Sequence, residues 1–129
     1  MTVLLSIDPG ESTGYLVMLA ETGEIVNYGT TDGWHMLDTL MDTHRPDSII
    51  LEAFRLYPHQ SRVQIGSAFP AVQVIGAVRY MAELRNILVY QQMASSVKML
   101  IPPAGLGRHE QDAWRHAEAF RRKIKKGAT

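Results

Sequence analysis

Two short, largely apolar runs that each end in an acidic residue constrain the fold of this chain more than any other feature. Residues 3–7 lead to Asp8 and a Pro-Gly turn, and residues 49–51 lead to Glu52. Runs of this length between turn signals are typical of buried strands. Each strand would bring one carboxylate to the rim of a sheet, where a buried charge is costly unless a cation lies beside it. The sequence therefore predicts a divalent metal ion beside Asp8 and Glu52.

A third acidic residue lies in a helical pattern towards the end of the chain. His109, Asp112 and His116 are spaced three and four residues apart, which places them on one face of a helix. An Asp/His pair from that helix and the two strand-end carboxylates can form an oxygen-rich pocket suited to Mg²⁺ or Mn²⁺. Simpler interpretations stay open for the acids taken alone: Asp8 as a turn former, Glu52 as a surface acid, and Asp112 as an acid favoured at a helix amino end. His116 taken alone is more often a structural histidine.

The order of the predicted elements indicates one α/β domain that spans residues 1–129. The 46% hydrophobic content is enough for one compact core. Strands are predicted at 2–8, 14–20, 25–30, 47–52 and 87–90, and helices at 33–44, 63–85, 93–100 and 109–124. The first three strands form an antiparallel meander, and the fourth follows a helix and is therefore parallel to its neighbour. The result is a mixed five-stranded sheet flanked by helices, in which a central first strand makes Asp8 and Glu52 adjacent.

The helix predicted at 63–85 is apolar on more than one side. One stripe includes Val72, Val78 and Met81, and a second stripe begins at Val74. Such a helix needs two partners, which here are the sheet and a second subunit. We therefore expect Val74 and Val78 to contribute to a subunit contact.

Composition excludes several classes of site. The chain has no cysteine, which removes disulfides, thiolate metal sites and cysteine nucleophiles. No secretion signal is visible, and no apolar run approaches the roughly 20 residues that span a bilayer, so we expect a cytoplasmic protein without a membrane partner. The phosphate loop of nucleotide-binding proteins, the nucleophile elbow of serine hydrolases and the zinc-protease helix motif are also missing.

Basic residues concentrate at the end of the chain even though 13 basic and 13 acidic residues cancel overall. Residues 121–126 read Arg-Arg-Lys-Ile-Lys-Lys. Two interpretations stay open for this segment. It is either a contact for nucleic-acid phosphates or a solvated helix end whose cations complement the helix dipole.

Five short motifs occur in a fixed order along most of the chain. They are Ile7-Asp8-Pro9-Gly10 with Thr13-Gly14, Leu51-Glu52, Gln73-Val74-Ile75-Gly76-Ala77, Val97-Lys98, and His109-x-x-Asp112-Ala113. The ordered set resembles the RuvC-type Holliday junction resolvases of the RNase H-like nuclease superfamily, and in particular their short phage-borne branch. The resemblance implies an RNase H-like mixed sheet and a homodimeric, metal-dependent endonuclease that cuts four-way DNA junctions by paired symmetric nicks.

The resemblance also implies roles for individual residues. Asp8, Glu52, His109 and Asp112 match the metal-binding and catalytic motif, which implies two Mg²⁺ ions per site, with Mn²⁺ able to substitute. Hydrolysis by two ions commonly uses one bridging carboxylate, and Asp8 is the candidate for it. Glu52 and Asp112 would each hold one ion, and His109 would complete one shell or move a proton. His116 lies one turn beyond Asp112, either as a further ligand or behind the ligands.

Candidate DNA contacts lie in three places. Aromatic side chains after Glu52 would stack on unpaired bases, and basic side chains would neutralise phosphates. These candidates are Phe54, Arg55, Tyr57 and Arg62 in the segment after Glu52, together with Lys98, Arg108 and Arg115. Phe54 is equally well explained as part of the core edge. The connection from Lys98 to His109 is shorter than in bacterial members of the family and lacks their lysine-bearing Gly-x-Gly-x-Ala segment.

Other functions compete with junction resolution. A nuclease of the same fold would cut flaps, forks or RNA, and a catalytically silent relative would only bind DNA. Residues 8–14 also faintly resemble the first phosphate loop of actin-like ATPases, but those proteins close two such domains on a nucleotide, and 129 residues supply one. The protein would act in the cytoplasm, which is that of the host if a phage encodes it.

Overall fold

The computed structural model of the chain describes residues 1–53 and 61–127, and side chains from residue 70 onwards in its second helix. The strands are β1 (Val3–Asp8), β2 (Ser12–Leu19), β3 (Ile25–Asp32), β4 (Ser48–Glu52) and β5 (Leu88–Gln92). The helices are α1 (His35–His44), α2 (Ser61–Leu84) and α3 (Arg108–Gly127). The helix predicted at 93–100 is reduced to a single 3₁₀ turn at Ala94–Ser96, and α3 runs three residues further than predicted.

The five strands form one mixed sheet in the order β3-β2-β1-β4-β5. β1 is antiparallel to β2 and parallel to β4, and β5 is parallel to β4. The predicted meander and the central position of β1 are confirmed. Ile7 pairs with Leu51 in the parallel register, so Asp8 and Glu52 follow at the same edge of the sheet.

Both faces of β1 are buried because helices cover both sides of the sheet. Leu5 and Ile7 pack with residues of α1 and α2 in the larger core cluster. Leu4 lies on the opposite face, where it packs with Phe120 of α3. Successive side chains of a strand alternate between faces, so Asp8 lies on the α3 side together with Leu4. The alternation in β1 thus selects α3 as the helix that faces the acid.

Helix α2 packs one face on the sheet and leaves another exposed. Val74 and Val78 are 2% and 0% exposed and belong to the core, so the prediction that they form a subunit contact is wrong. Among residues 70–84, where the side chains of this helix are described, Val72, Tyr80 and Leu84 are the large apolar residues that are exposed. Two overlapping apolar stripes left the buried face of α2 ambiguous in the sequence.

Across residues 1–53 and 61–127, no helix is both long enough and apolar enough to cross a membrane.

The amino end of α3 is fixed by Glu110. One carboxylate oxygen of Glu110 accepts a hydrogen bond from the backbone N–H of Gly107 at 2.9 Å, as in a capping box. The other oxygen accepts from the Thr30 hydroxyl at 3.2 Å. Glu110 therefore both ends the preceding loop and attaches α3 to β3, which sets where the first turn of α3 lies against the sheet.

Candidate active site

Asp8 and Glu52 form a hydrogen-bonded carboxyl pair at the ends of β1 and β4. Burial, the hydrogen bond to Glu52 and the charges of Glu52 and Asp112 raise the pKa of Asp8 from 3.8 to about 9. Burial would also raise the pKa of Glu52, but its hydrogen bonds to His116 and Asp8 outweigh burial and lower it. The two neighbouring carboxyl groups therefore differ, because the pKa of Asp8 is raised and the pKa of Glu52 is lowered.

His116 lies behind Glu52, in the interior of the protein. Its side chain is fully buried, and its Nε2 is 3.2 Å from Oε1 of Glu52. The backbone carbonyl of His116 accepts a hydrogen bond from the Gln92 side chain at 2.9 Å, which ties α3 to β5. Within the described part of the chain, Nδ1 of His116 has no hydrogen-bond partner. This position suits a histidine that orients Glu52.

The first turn of α3 brings His109 to Asp8 because Gly14 leaves room for it. His109 Nδ1 lies 3.7 Å from Oδ2 of Asp8. Gly14 pairs with Asp8 across β1 and β2, and a Cβ atom at Gly14 would overlap the backbone carbonyl of His109. The Thr13-Gly14 motif was visible in the sequence, but its role in admitting the helix depends on a contact between distant segments.

Asp112 is held by Arg115, one turn further along α3. Arg115 Nη1 donates to Oδ1 of Asp112 at 2.8 Å, and its Nε donates to the backbone carbonyl of Leu100 at 3.0 Å. Arg115 was predicted as a DNA contact. The structure gives it two protein partners, and these connect the acid to the loop that follows β5.

One open cleft of about 470 Å³ collects the predicted site residues. Asp8, Glu52, His109 and Asp112 all line it, and so does Arg108. Lys98 is exposed on the loop after β5. The predicted DNA contacts Phe54, Arg55 and Tyr57 lie outside the described residues, as does the side chain of Arg62.

The chemistry of this cleft fits a divalent cation. Four carboxylates (Asp8, Glu11, Glu52 and Asp112) and an imidazole line it. Burial, and then the neighbouring carboxyl groups, raise the pKa of Asp8, and a cation beside Asp8 would offset both effects. Across residues 1–53 and 61–127, however, no three acidic or histidine side chains converge closely enough to enclose an ion. Mg²⁺ commonly takes one or two carboxylates and completes its shell with water and substrate phosphate, so an enclosed site is not required. The donor set therefore fits hard cations such as Mg²⁺ and Mn²⁺.

Solved structures with the same architecture identify the fold. RuvC from Thermus thermophilus in complex with a Holliday junction substrate matches with a TM-score of 0.76 over 96% of each chain, at 17% identity. The chain has the RuvC fold. A second Thermus thermophilus RuvC structure matches with a TM-score of 0.73 at 17% identity, over 96% of this chain and 97% of that one. The RNase H-like architecture is thereby established.

Sequence comparison adds nothing to the structural likeness. No protein-family profile matches the chain, and no curated protein sequence matches it. At 17% identity the RuvC likeness speaks for the fold alone. The assignment of a function therefore rests on the residues of the cleft.

We predict that Gly14→Ala will destabilise the protein by about 1–3 kcal/mol, because the new methyl group must displace the first turn of α3. Urea unfolding measures the change. Gly76→Ala is the matched control, since a Cβ there meets no atom within 4 Å, and we expect it to be neutral or stabilising by up to about 1 kcal/mol. Equal stability of the Gly14→Ala variant and the wild type would contradict the close packing of His109 on Gly14.

We predict that Asp8→Asn will remove a pH dependence of stability. The folded protein binds more protons at Asp8 than the unfolded chain between pH 3.8 and about 9, so wild-type stability decreases as pH rises through that range. In a chelating buffer, the variant should melt about 3–8 °C above the wild type at pH 8 and close to it near pH 4. Parallel melting curves across the pH range would refute this. Added Mg²⁺ should raise the melting temperature of the wild type more than that of the variant.

Proposed function

We propose that this protein is a metal-dependent endonuclease that resolves four-way DNA junctions by paired nicks. The observation that carries the proposal is the gathering of Asp8, Glu52, His109 and Asp112 in one open cleft of a RuvC fold. A structural neighbour was solved with a Holliday junction substrate, which supports branched DNA as the substrate class. We expect it to act in the cytoplasm, which is that of the host if a phage encodes the chain.

The proposed chemistry divides the cleft residues by role. Two Mg²⁺ ions, or Mn²⁺ in their place, would activate the attacking water and stabilise the leaving oxygen. Asp8, Glu52 and Asp112 would hold the ions, and His109 would complete their coordination or carry a proton. Because burial and the neighbouring carboxyls raise the pKa of Asp8, cation binding at Asp8 would be coupled to the loss of its proton.

Two further residues would keep the acids in position. Nε2 of the fully buried His116 lies 3.2 Å from Glu52, so His116 would orient Glu52 and need not touch substrate. Arg115 would do the same for Asp112 through its 2.8 Å contact. Interactions of this kind orient ligands, and their loss commonly costs 10- to 100-fold in activity or metal affinity.

DNA contacts would surround the cleft. Arg108 lines it directly, and Lys98 lies exposed on the loop after β5, so both are available for phosphates. Arg115 would contribute from beside Asp112. The segment after Glu52 would supply Phe54, Arg55, Tyr57 and Arg62 to open the junction.

Paired nicks require two cleavage sites, and we propose that a homodimer provides them. An apolar groove of about 540 Å³ runs between α1 and α2 and includes Trp34, Tyr80 and Leu84. Tyr80 and Leu84 are 64% and 65% exposed, which is unusual for two large side chains on one helix. This surface replaces Val74 and Val78 as the proposed subunit contact.

Cleavage of synthetic substrates tests the proposed activity. We expect the wild type to nick four-way junctions in Mg²⁺ or Mn²⁺ in preference to flaps, linear duplex and RNA–DNA hybrids. Asp8→Asn and Glu52→Gln should slow nicking by more than about 100-fold, which exceeds the 10- to 100-fold loss typical for residues that only orient a metal ligand. Both variants should bind the junction within about threefold of the wild type. Glu24→Gln, at an exposed turn, is the control for charge removal. Undiminished nicking by Asp8→Asn would exclude Asp8 from the chemistry, and a preference for flaps or RNA would favour a broader nuclease.

Sedimentation tests the proposed dimer. Tyr80→Glu with Leu84→Glu should convert a micromolar dimer to a monomer, because the charges would be buried unpaired in the contact. Leu88→Glu, also on an exposed leucine but on β5, is the control and should leave the dimer intact. Neither change should lower the melting temperature by more than a few degrees. A wild-type protein that sediments as a monomer would contradict the proposal.

A further inference from the structure

The loop after β5 exposes two large apolar side chains close together. Met99 and Ile101 are 85% and 87% exposed, the highest values among the exposed large apolar side chains of the described chain. A single exposed apolar residue is ordinary, but two in a span of three residues form a patch that water solvates poorly.

Contacts at several points hold this loop against the protein. Val97 and Leu106 are buried, which anchors both ends of the segment. Between them, the carbonyl of Leu100 accepts the 3.0 Å hydrogen bond from Arg115, and Arg115 also binds Asp112. The residue between Met99 and Ile101 is therefore connected to a carboxylate of the cleft through one side chain.

A basic cleft of about 250 Å³ adjoins the loop. Met99 and Leu100 line it from the loop, and Arg122, Lys123 and Lys126 line it from α3. No acidic residue of the described chain lines this cleft. Glu118, which pairs with Arg121 and Arg122 at 2.6 Å each, is only 4% exposed and lies beneath the surface. In a chain with zero formal net charge, this is a local concentration of positive charge beside an apolar patch.

We propose that this loop and the basic end of α3 form a second nucleic-acid contact, in which Met99 and Ile101 pack against base faces and the α3 cations bind the adjoining phosphates. The proposal rests on the proposed function and names how its substrate is held. Bases present apolar faces one nucleotide away from anionic phosphates, which matches an apolar patch bordered by cations. Methionine, isoleucine and proline are residues that proteins insert at opened base steps, and the centre of a four-way junction offers such steps.

Charge favours nucleic acid over a second copy of the chain as the occupant. Two copies meeting at this cleft would place like charges from Arg122, Lys123 and Lys126 against each other. The groove proposed for the dimer lies instead on α1 and α2, on the opposite side of the sheet from α3.

The test separates the apolar contact from the phosphate contact. Met99→Gln with Ile101→Thr removes apolar surface with little change of volume, and Lys123→Gln with Lys126→Gln removes two cations. Leu88→Gln with Val26→Thr is the matched control on exposed residues of β5 and β3. Binding to a four-way junction and to linear duplex is measured by fluorescence anisotropy in a chelating buffer over a range of salt concentrations.

We expect the Met99/Ile101 variant to bind the junction roughly tenfold more weakly, to bind duplex almost normally, and to keep the wild-type salt dependence. The Lys123/Lys126 variant should weaken binding to both substrates and reduce the salt slope by about two. An apolar variant that behaves like the control overturns the inference while leaving the proposed function intact. A change in its sedimentation overturns it in favour of a protein contact. Wild-type protein that neither binds nor cuts DNA overturns both the inference and the proposed function.

Discussion

A carboxyl group buried at the end of the central strand is the constraint on which the rest of this structure depends. Asp8 is only 7% exposed, and Glu52 lies beside it at the end of the parallel neighbour. Burial and the neighbouring carboxyl group of Glu52 raise the pKa of Asp8, so ionising both acids is costly unless a cation lies beside them. Burying these acids destabilises the folded state locally. The apolar side chains buried on both faces of β1 and β4 offset that free energy.

Asp8, Glu52 and Asp112 differ in the basic side chains that lie beside them, and the difference suits a site whose net charge changes when a cation binds. Glu52 has a buried histidine behind it, and Asp112 has an arginine beside it. Among the described residues, the one basic side chain within 4 Å of the Asp8 carboxyl is His109, at 3.7 Å, and the close approach of α3 to Gly14 places it there. The central acid is therefore the least compensated, which makes it the group that gains most from an added cation.

Much of the fold could be predicted because it depends on local patterns. The apolar runs before Asp8 and Glu52, the turns between the first strands and the helix before β4 are sufficient for the sheet order. The helix face around Val74 and Val78 could not be predicted, since periodicity does not decide which face of a doubly apolar helix meets the sheet. The hydrogen bond from Arg115 to the Leu100 carbonyl could not be predicted either, because the two residues are distant in sequence and come together only in the folded chain.

Helix α3 carries both Asp112 of the carboxylate cleft and the basic side chains near its carboxyl end. Asp112 and Lys123 are eleven residues apart on it, which corresponds to about 16 Å, or about five base-pair steps. A helix fixes angle as well as distance, since each residue adds about 100° of rotation. The stretch between them can therefore exchange residues but cannot change in length, because a single inserted residue would turn the basic face away from the loop while the acid stayed in place. Length, more than residue identity, is what this part of the helix has to preserve.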